Sequence, residues 1–528
     1  MAAIFFQCII LILLIMFLIM LAQKLRVAYP IVLVLGGLLL SFVPGLASFT
    51  IDPEMIFVVF LPPLLYDAAW NTSWKEFWKF RRVISSFAFL IVILTSLVVA
   101  WISSSIIPGF TMALGFLLGG IVSPPDAVSA TSVLKNVKAP KSLAAILEGE
   151  SLLNDASSLI IFRFALIAVD TGRFVFSEAA LSFFIVIVMG ILIGVAIAIL
   201  YYAIHRWLPT TSNMDIVLSF TAPYMMYIVA EHFHFSGVLA VVSGGLFLSY
   251  RSHLYLSFRS RLQGATVWNT IGFAMNGIVF MLIGLELPVI IRELGPVSVS
   301  DAIGYGVIIT AVLIVTRILS TLGASLFTRF ASRYITTADS NPGWRSPLVF
   351  GWAGMRGVVS LAAALSIPFF LSIGNPFPQR NLILFITFVV ILLTLVVQGL
   401  SLPLMIKALK IKERNGRLSD DEQERLVRQT LAGQCLQHLQ QQYAAQLATN
   451  RSLQQLQVRY EQDQLQCDSS FDDEQGEYRA IYYEMLERQR SFLLDLNKAP
   501  NIDEDIIKKY QGLLDLEEEK LRSRYDGV

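Results

Sequence analysis

The stretch Gly149-Glu150-Ser151-Leu152-Leu153-Asn154-Asp155 sits inside residues 143–169, which otherwise read as a membrane-spanning helix. It puts two carboxylates, a hydroxyl and an amide where hydrocarbon is expected. An ionised carboxylate in mid-bilayer is costly, so such groups face the protein interior and mark an ion or proton path. Ser151 and Asp155 are four residues apart, as are Glu150 and Asn154, so two adjacent stripes of one helix present oxygen ligands together. Oxygen is what a small hard cation takes. The plainer alternative, hydrogen bonding to neighbouring helices, is met at lower cost by Ser or Thr.

Composition makes most of the chain a membrane protein. Of its 528 residues, 55% are hydrophobic and only 15% charged, against about 25% charged in an ordinary soluble chain. Cys8, Cys435 and Cys467 are far apart and suggest neither a disulfide framework nor a metal site. The net charge of +1 hides a contrast. Residues 1–410 carry 24 Lys/Arg against 16 Asp/Glu, and residues 411–528 carry 16 against 23. A transmembrane domain over 1–410 and a soluble, acidic, helical tail over 411–528 are therefore expected. The opening Met1-Ala2-Ala3-Ile4 lacks the positive charge of a secretory leader, and its apolar run continues to Ala22, which reads as a retained first helix.

Thirteen apolar stretches approach the roughly 20 residues that a spanning helix needs. They lie at about 4–23, 30–46, 53–70, 83–106, 110–133, 143–169, 178–204, 213–232, 235–250, 265–291, 299–328, 346–372 and 381–406. The expected fold is an all-α polytopic bundle. Basic residues concentrate in alternate connections, among them Lys75, Lys79, Arg81 and Arg82, then Lys135, Lys138 and Lys141, then Arg251, Arg259 and Arg261. The opposite connections hold only Arg173, Arg292 and Arg380. By the positive-inside rule the N-terminus lies outside and the C-terminus in the cytoplasm.

Two stretches are interrupted in a related way. The fifth contains Ser123-Pro124-Pro125-Asp126, and the twelfth contains Gly351-Trp352-Ala353-Gly354-Met355-Arg356-Gly357. Paired prolines strip backbone donors, and glycines weaken a helix. If stretches 1–6 and 8–13 are inverted repeats with 7 as linker, the fifth corresponds to the twelfth. Paired broken helices of this kind point to a transporter's binding site. Ordinary kinks are the alternative, but they leave the charge at each break unexplained. At a rise of about 1.5 Å per residue, Asp155 lies about 21 Å from Lys141, Arg356 about 16 Å from Arg345, Arg317 about 18 Å from Arg329 and Asp126 about 14 Å from Lys135. Asp126, Glu150, Asp155, Arg317 and Arg356 thus share a depth near mid-membrane. Buried charges need partners, and mutual neutralisation leaves one carboxylate for a mobile cation.

Four stretches taken together resemble the monovalent cation:proton antiporter family that includes the sodium/proton exchangers. They are Phe60-Leu61-Pro62-Pro63-Leu64-Leu65-Tyr66-Asp67-Ala68-Ala69, the run from Glu150 to Asp155, Ser236-Gly237-Val238-Leu239-Ala240-Val241-Val242 and Gly354-Met355-Arg356-Gly357. The resemblance covers about residues 5–405. It implies a homodimer of thirteen-helix bundles, each with a dimerisation domain, a core domain and two crossed, unwound helices. It implies that Asp155 binds either the cation or a proton, that Ser151 is a second sodium ligand, and that Glu150 and Asn154 assist. Unwound backbone at Pro125 and Asp126 offers a carbonyl. Family members carry Thr or Val before that Asp and Pro after it, whereas here Pro125 precedes and Ala127 follows, which leaves backbone alone as a donor. Arg317 and Arg356 resemble the two core arginines, one of them the partner of Glu150, with Arg317 favoured. Asn154-Asp155 in place of two aspartates implies electroneutral exchange of one cation for one proton. Sodium is the expected cation and potassium the alternative. Beyond transported Na+ and H+ no cofactor is implied. The implied partners are the lipid bilayer of a prokaryotic inner (plasma) membrane and a second copy of the chain, with no nucleic acid.

Three rivals fit less well. A passive channel wants a repeated pore loop or a ring of carbonyls or acids. An intramembrane aspartyl protease would need Asp126 and Asp155 to share a proton, against which Arg317 and Arg356 count. An organic-anion symporter on the same scaffold has no use for the Glu150–Asp155 cluster. Elsewhere, Glu231, His232 and His234 read as an external pH sensor or a solvated connection, and Asp67 as a gate or a cap. Arg163 is placed to offset Asp155 or reach Glu286. Trp70, Trp74 and Trp78 with Lys75, Lys79, Arg81 and Arg82 read as an interfacial amphipathic helix. In the tail, Leu426, Leu431, Leu436, Leu439, Tyr443 and Leu447 recur at roughly helical spacing, as do Tyr478, Met485 and Phe492, the mark of amphipathic helices; they are expected to dimerise or regulate, with a passive helical extension as the alternative.

Overall fold

The computed structural model describes residues 2–25, 27–42, 56–134, 140–172, 176–292, 294, 297–334, 343–372, 374–411, 420–465, 472–496 and 504–525. Lys135, Lys138 and Arg173 lie outside the described residues, as do the ends expected near residues 46 and 53.

The first unit, Met1–Asn415, is built of helices. They begin with α1 (Ala2–Leu25), α2 (Tyr29–Leu40) and, after a π turn at Ile56–Phe60, α3 (Leu61–Asn71). Pro62 and Pro63 occupy the first turn of α3, where a missing N–H costs no intrahelical bond. Next come α4 (Trp74–Ile106), α5 (Met112–Val122), α6 (Ala127–Leu134), α7 (Lys141–Thr171) and α8 (Phe176–Trp207). They are followed by α9 (Ser212–His232), α10 (Gly237–Tyr255), α11 (Phe258–Leu285) and α12 (Leu287–Arg292). The last five are α13 (Val299–Ala331), α14 (Arg345–Trp352), α15 (Val358–Leu365), α16 (Arg380–Leu393) and α17 (Gly399–Leu409). Seven helical runs among the described residues are long and apolar enough to cross a membrane.

One boundary differs from the expectation. The basic, Trp-rich segment is not a separate surface helix but the opening of α4, continuous through a π turn at Ser86–Ile91. No Gly or Pro interrupts residues 74–106, so nothing stops the helix. Ser73 caps it, and Phe80 and Ile84 are buried while Trp74 and Trp78 stay exposed.

Two apolar cores hold the unit. One draws on α1, α2, α4 to α7, the C-terminal half of α11, and α12 to α17. The other draws on α3, α8, α9 and α10, with Trp268 of α11. Helix α7 feeds both: Leu143, Leu147 and Phe162 enter the first core, Leu152 and Ala156 the second. The polar stretch Gly149 to Asp155 therefore lies where the two cores meet. Phe184, Leu192 and Leu200 on α8 and Leu319, Leu326 and Phe327 on α13 are exposed, surfaces suited to hydrocarbon rather than water.

The second unit, Gly416–Val528, contains α18 (Asp420–Gln442), α19 (Ala444–Thr449), α20 (Arg451–Leu465), α21 (Asp472–Leu496) and α22 (Glu504–Tyr525). Its leucines do not form one stripe. Leu439 and Leu447 are buried, whereas Leu426, Leu431 and Tyr443 are exposed; the helix itself breaks at Tyr443 and again at Asn450. Arg490 on α21 reaches Asp515 at 2.8 Å and Glu518 at 2.5 Å on α22.

Candidate functional site

Pro124 and Pro125 bring no N–H to continue α5, and α6 starts with unsatisfied donors. Asp126 supplies the acceptors. Its carboxylate takes hydrogen bonds from the Val128 N–H at 3.0 Å, the Ser129 N–H at 3.2 Å and the Ser129 hydroxyl at 2.5 Å. This is an N-cap carboxyl at the positive end of a helix. The second break, residues 353–357, joins the first directly. The Asp126 N–H donates to Met355 O at 2.7 Å. A Cβ on Gly357 would run into the Asp126 carboxylate, so this close approach requires glycine.

Arg356 serves the opposite helix end. It donates through Nε to Val122 O, the last carbonyl of α5, at 2.6 Å, and through Nη1 to Gly354 O. Its own N–H is held by Thr394 Oγ1 at 3.1 Å. The mutual neutralisation expected from sequence is thus only half met, since Arg356 answers carbonyls freed by a helix break rather than a carboxylate. Glu150 and Arg317 do form an ion pair, two parallel bonds at 2.8 and 2.9 Å with both side chains buried. Arg317 Nε adds Phe350 O at 3.3 Å, at the end of α14. The planar guanidinium fork suits such a pair, whose two carboxylate oxygens are both engaged.

The other α7 side chains grip the first break. Asn154 Nδ2 donates to Pro125 O at 3.1 Å, and Ser151 Oγ accepts from the Ala127 N–H at 3.2 Å. Asn154 Oδ1 is buried and has no donor among the described residues. Asp155, one turn beyond Ser151, is 7% exposed. Its carboxylate makes no hydrogen bond or ion pair among the described residues. Of the five mid-membrane charges, four are tied to protein partners and Asp155 is left. Ser151, Asn154 and Asp155 are near neighbours on α7, and the first two contact the first break.

Other candidates fall elsewhere. Arg163 meets neither Asp155 nor Glu286. Eight residues raise it about 12 Å above Asp155, where it bonds Glu231 at 3.4 Å and His234 O at 3.2 Å. Glu231 also accepts the Gly237 N–H at 3.0 Å at the start of α10. Asp67 accepts from Asn71 at 3.0 Å within α3. Arg380, expected in a solvated connection, is buried, donating to Ile367 O at 2.8 Å beneath the Phe369 ring. Sequence reasoning missed Thr394, which carries no charge to announce it. It also missed a buried His205–Asp215 pair, whose signal was a His and an Asp ten residues apart across one short connection.

Residues 10–408 match the transmembrane sodium/hydrogen exchanger family. The chain belongs to that family. A sodium, potassium, lithium and rubidium/H+ antiporter of Bacillus subtilis strain 168 is 36% identical over 388 residues, 71% of this chain and 57% of that protein. The match to the corresponding antiporter of Bacillus pumilus likewise spans 57% of its length, so the chain covers little more than half of these two relatives. A low-affinity Na+/H+ antiporter of Synechocystis is 33% identical over 390 residues, 73% of this chain and 70% of the relative. Among solved structures, the sodium proton antiporter MjNhaP1 of Methanocaldococcus jannaschii has the same fold, with a TM-score of 0.61 at 17% identity over 78% of this chain and 99% of that one. This sodium/hydrogen exchanger family member is accordingly a multi-pass membrane protein with an all-α fold.

Proposed function

We propose that this exchanger is a secondary active antiporter that trades one monovalent cation, sodium foremost, for one proton. The observation that carries the reading is the Asp155 carboxylate, buried beside two helix breaks while its charged neighbours are occupied. Asp155 holds either a proton or, with Ser151, Asn154 and break carbonyls, a cation. Each occupied form removes the unpaired charge, and the empty carboxylate is the form that hydrocarbon penalises most. Exchange follows from that competition and is electroneutral. Because α7 lies between the two cores, rocking one against the other would expose Asp155 alternately to the two sides. The positive-inside rule supports an outer N-terminus and a cytoplasmic tail in a plasma membrane, and family resemblance supports a homodimer that serves pH and sodium homeostasis. Potassium is the second reading, favoured by the ion range named for the Bacillus subtilis relative.

The test is reconstitution in liposomes holding a pH dye, with an imposed proton gradient. Sodium, potassium or lithium is then added with and without valinomycin. Cation-evoked proton movement that ignores a voltage clamp supports electroneutral antiport and identifies the ion. Correctly inserted protein that answers none of them would instead direct attention to anion symport on the same scaffold.

A further inference from the structure

Three helix ends meet around a titratable cluster that the exchange chemistry above does not use. His205, in the last turn of α8, hydrogen-bonds through Nδ1 to Asp215 Oδ1 in the first turn of α9 at 2.8 Å. Ser260, in the first turn of α11, donates to the other carboxylate oxygen at 2.7 Å. Ser260 also lies 2.7 Å from the Ser257 hydroxyl that caps α11. His205 and Asp215 are 4% and 7% exposed at their side chains. They occupy the helix ends at which the dipole favours positive and negative charge respectively.

A cavity of about 100 Å³ opens beside the pair, lined by both and by Tyr66, Tyr201, Tyr255 and Arg261. That is room for several waters, and hence for proton delivery. The groups facing the imidazole come from every neighbouring helix. Asp215 comes from α9, Tyr255 from α10 with ring centres 5.3 Å apart, Ser260 and Arg261 from α11, Tyr66 from α3, and Tyr201 and Arg206 from α8 itself. Both arginines are turned to backbone, Arg261 to Leu256 O at 2.6 Å and Arg206 to Leu254 O at 2.9 Å. Asp215 is the single carboxylate in this set.

An amide side chain could make the same hydrogen bond to Asp215 without titrating. An imidazole there adds one thing, a second ring nitrogen able to take up a proton. We propose that His205, Asp215 and Ser260 form a second proton-binding site, separate from Asp155, on the side bearing Arg206, Arg251, Arg259 and Arg261. Its occupancy adjusts the exchange rate to the pH of that side. The coupling path is the core that α3, α8, α9 and α10 share with Leu152 and Ala156 of α7. Adding one unit of charge where these helices end alters the packing against the helix that carries Asp155. The rate effect rests on the proposed antiport, whereas the proton site does not.

The chain has five histidines. His232, His234, His253 and His438 are exposed, so His205 is the buried one. Ring-15N histidine spectra of the full chain in lipid nanodiscs, compared with His205→Gln, therefore isolate its signal. The expected result is a His205 signal that changes protonation between about pH 5 and 8. Asp215→Asn should displace its midpoint, and His205→Gln should flatten the pH profile of the initial exchange rate in that window without lowering the plateau. His205→Asn replaces the Gln variant if the latter does not fold. A His205 signal in one protonation state throughout would overturn the proposal. So would a titrating His205 whose replacement leaves the pH profile unchanged. If the protein exchanges nothing, the spectra alone decide whether the site takes a proton.

Discussion

Asp126 and Asp155 are both buried aspartates of the membrane unit, and what their oxygens touch separates them. Asp126 is consumed by three donors at the start of α6, whereas Asp155 has none among the described residues. Asp155→Asn should therefore abolish cation-evoked proton movement in proteoliposomes while leaving the gel-filtration profile and thermal melt close to wild type. Asp126→Ala should instead cost stability, by about 0.5–2 kcal/mol for the lost cap, visible as a lowered melting temperature. Glu150→Ala strands Arg317 in the interior, and breaking a buried pair in this way costs about 3–5 kcal/mol. The double replacement Glu150→Leu with Arg317→Met should destabilise less than either single loss, which a thermal-shift series would report. That Glu150 and Asp155 are buried within the membrane unit was legible in sequence, because carboxylates within an apolar run are conspicuous. Which aspartate caps a helix and which makes no bond was not, because the two are the same residue type until the neighbouring backbone is in place.

Apolar length located the elements well, since a spanning helix needs a run that few soluble segments have. Each stretch read as a span contains helix where described, though the twelfth leaves helix at residues 366–372, and the two breaks fall at Pro124-Pro125 and within residues 353–357. The errors arose where polarity and helicity part company. The Lys- and Trp-rich start of α4 looked like a surface segment, yet helix continuity depends on the absence of breakers and not on hydropathy. In the tail the roughly helical spacing of the leucines does find helices, but of those on α18 Leu439 is buried while Leu426 and Leu431 are exposed. At the breaks, Gly357 illustrates what a sequence conceals. Its role is to let one broken segment approach the carboxylate of another more than two hundred residues away in the chain. Gly357→Ala should force the two breaks apart and lose the Asp126–Met355 hydrogen bond. The expected outcome is a large fall in exchange rate with cation affinity also weakened, measured as initial rate against cation concentration.

The membrane unit divides at α7, which feeds both apolar cores, and the proposed mobile site lies at that division. The tail buries Leu439, Leu447, Leu486 and Ile507 and carries ion pairs at its surface. The guanidiniums of Arg490 and Arg522 beside Glu518 hold its carboxyl below the ordinary value of 4.5. A carboxyl lowered on folding stabilises above its ordinary value and loses that contribution as pH falls through the lowered one. Amide hydrogen exchange of α21 and α22 in the whole protein should thus be slower at pH 7 than at pH 3 after correction for intrinsic rates. Glu518→Gln should reduce that difference. For the membrane unit as a whole, the proposed one-for-one exchange at Asp155 would set a ceiling. A carrier whose one free carboxylate holds either cargo and never both cannot raise the cation ratio above the proton ratio. Under that proposal one pH unit, about 1.4 kcal/mol, sustains a tenfold sodium gradient and no more, and membrane voltage adds nothing to it.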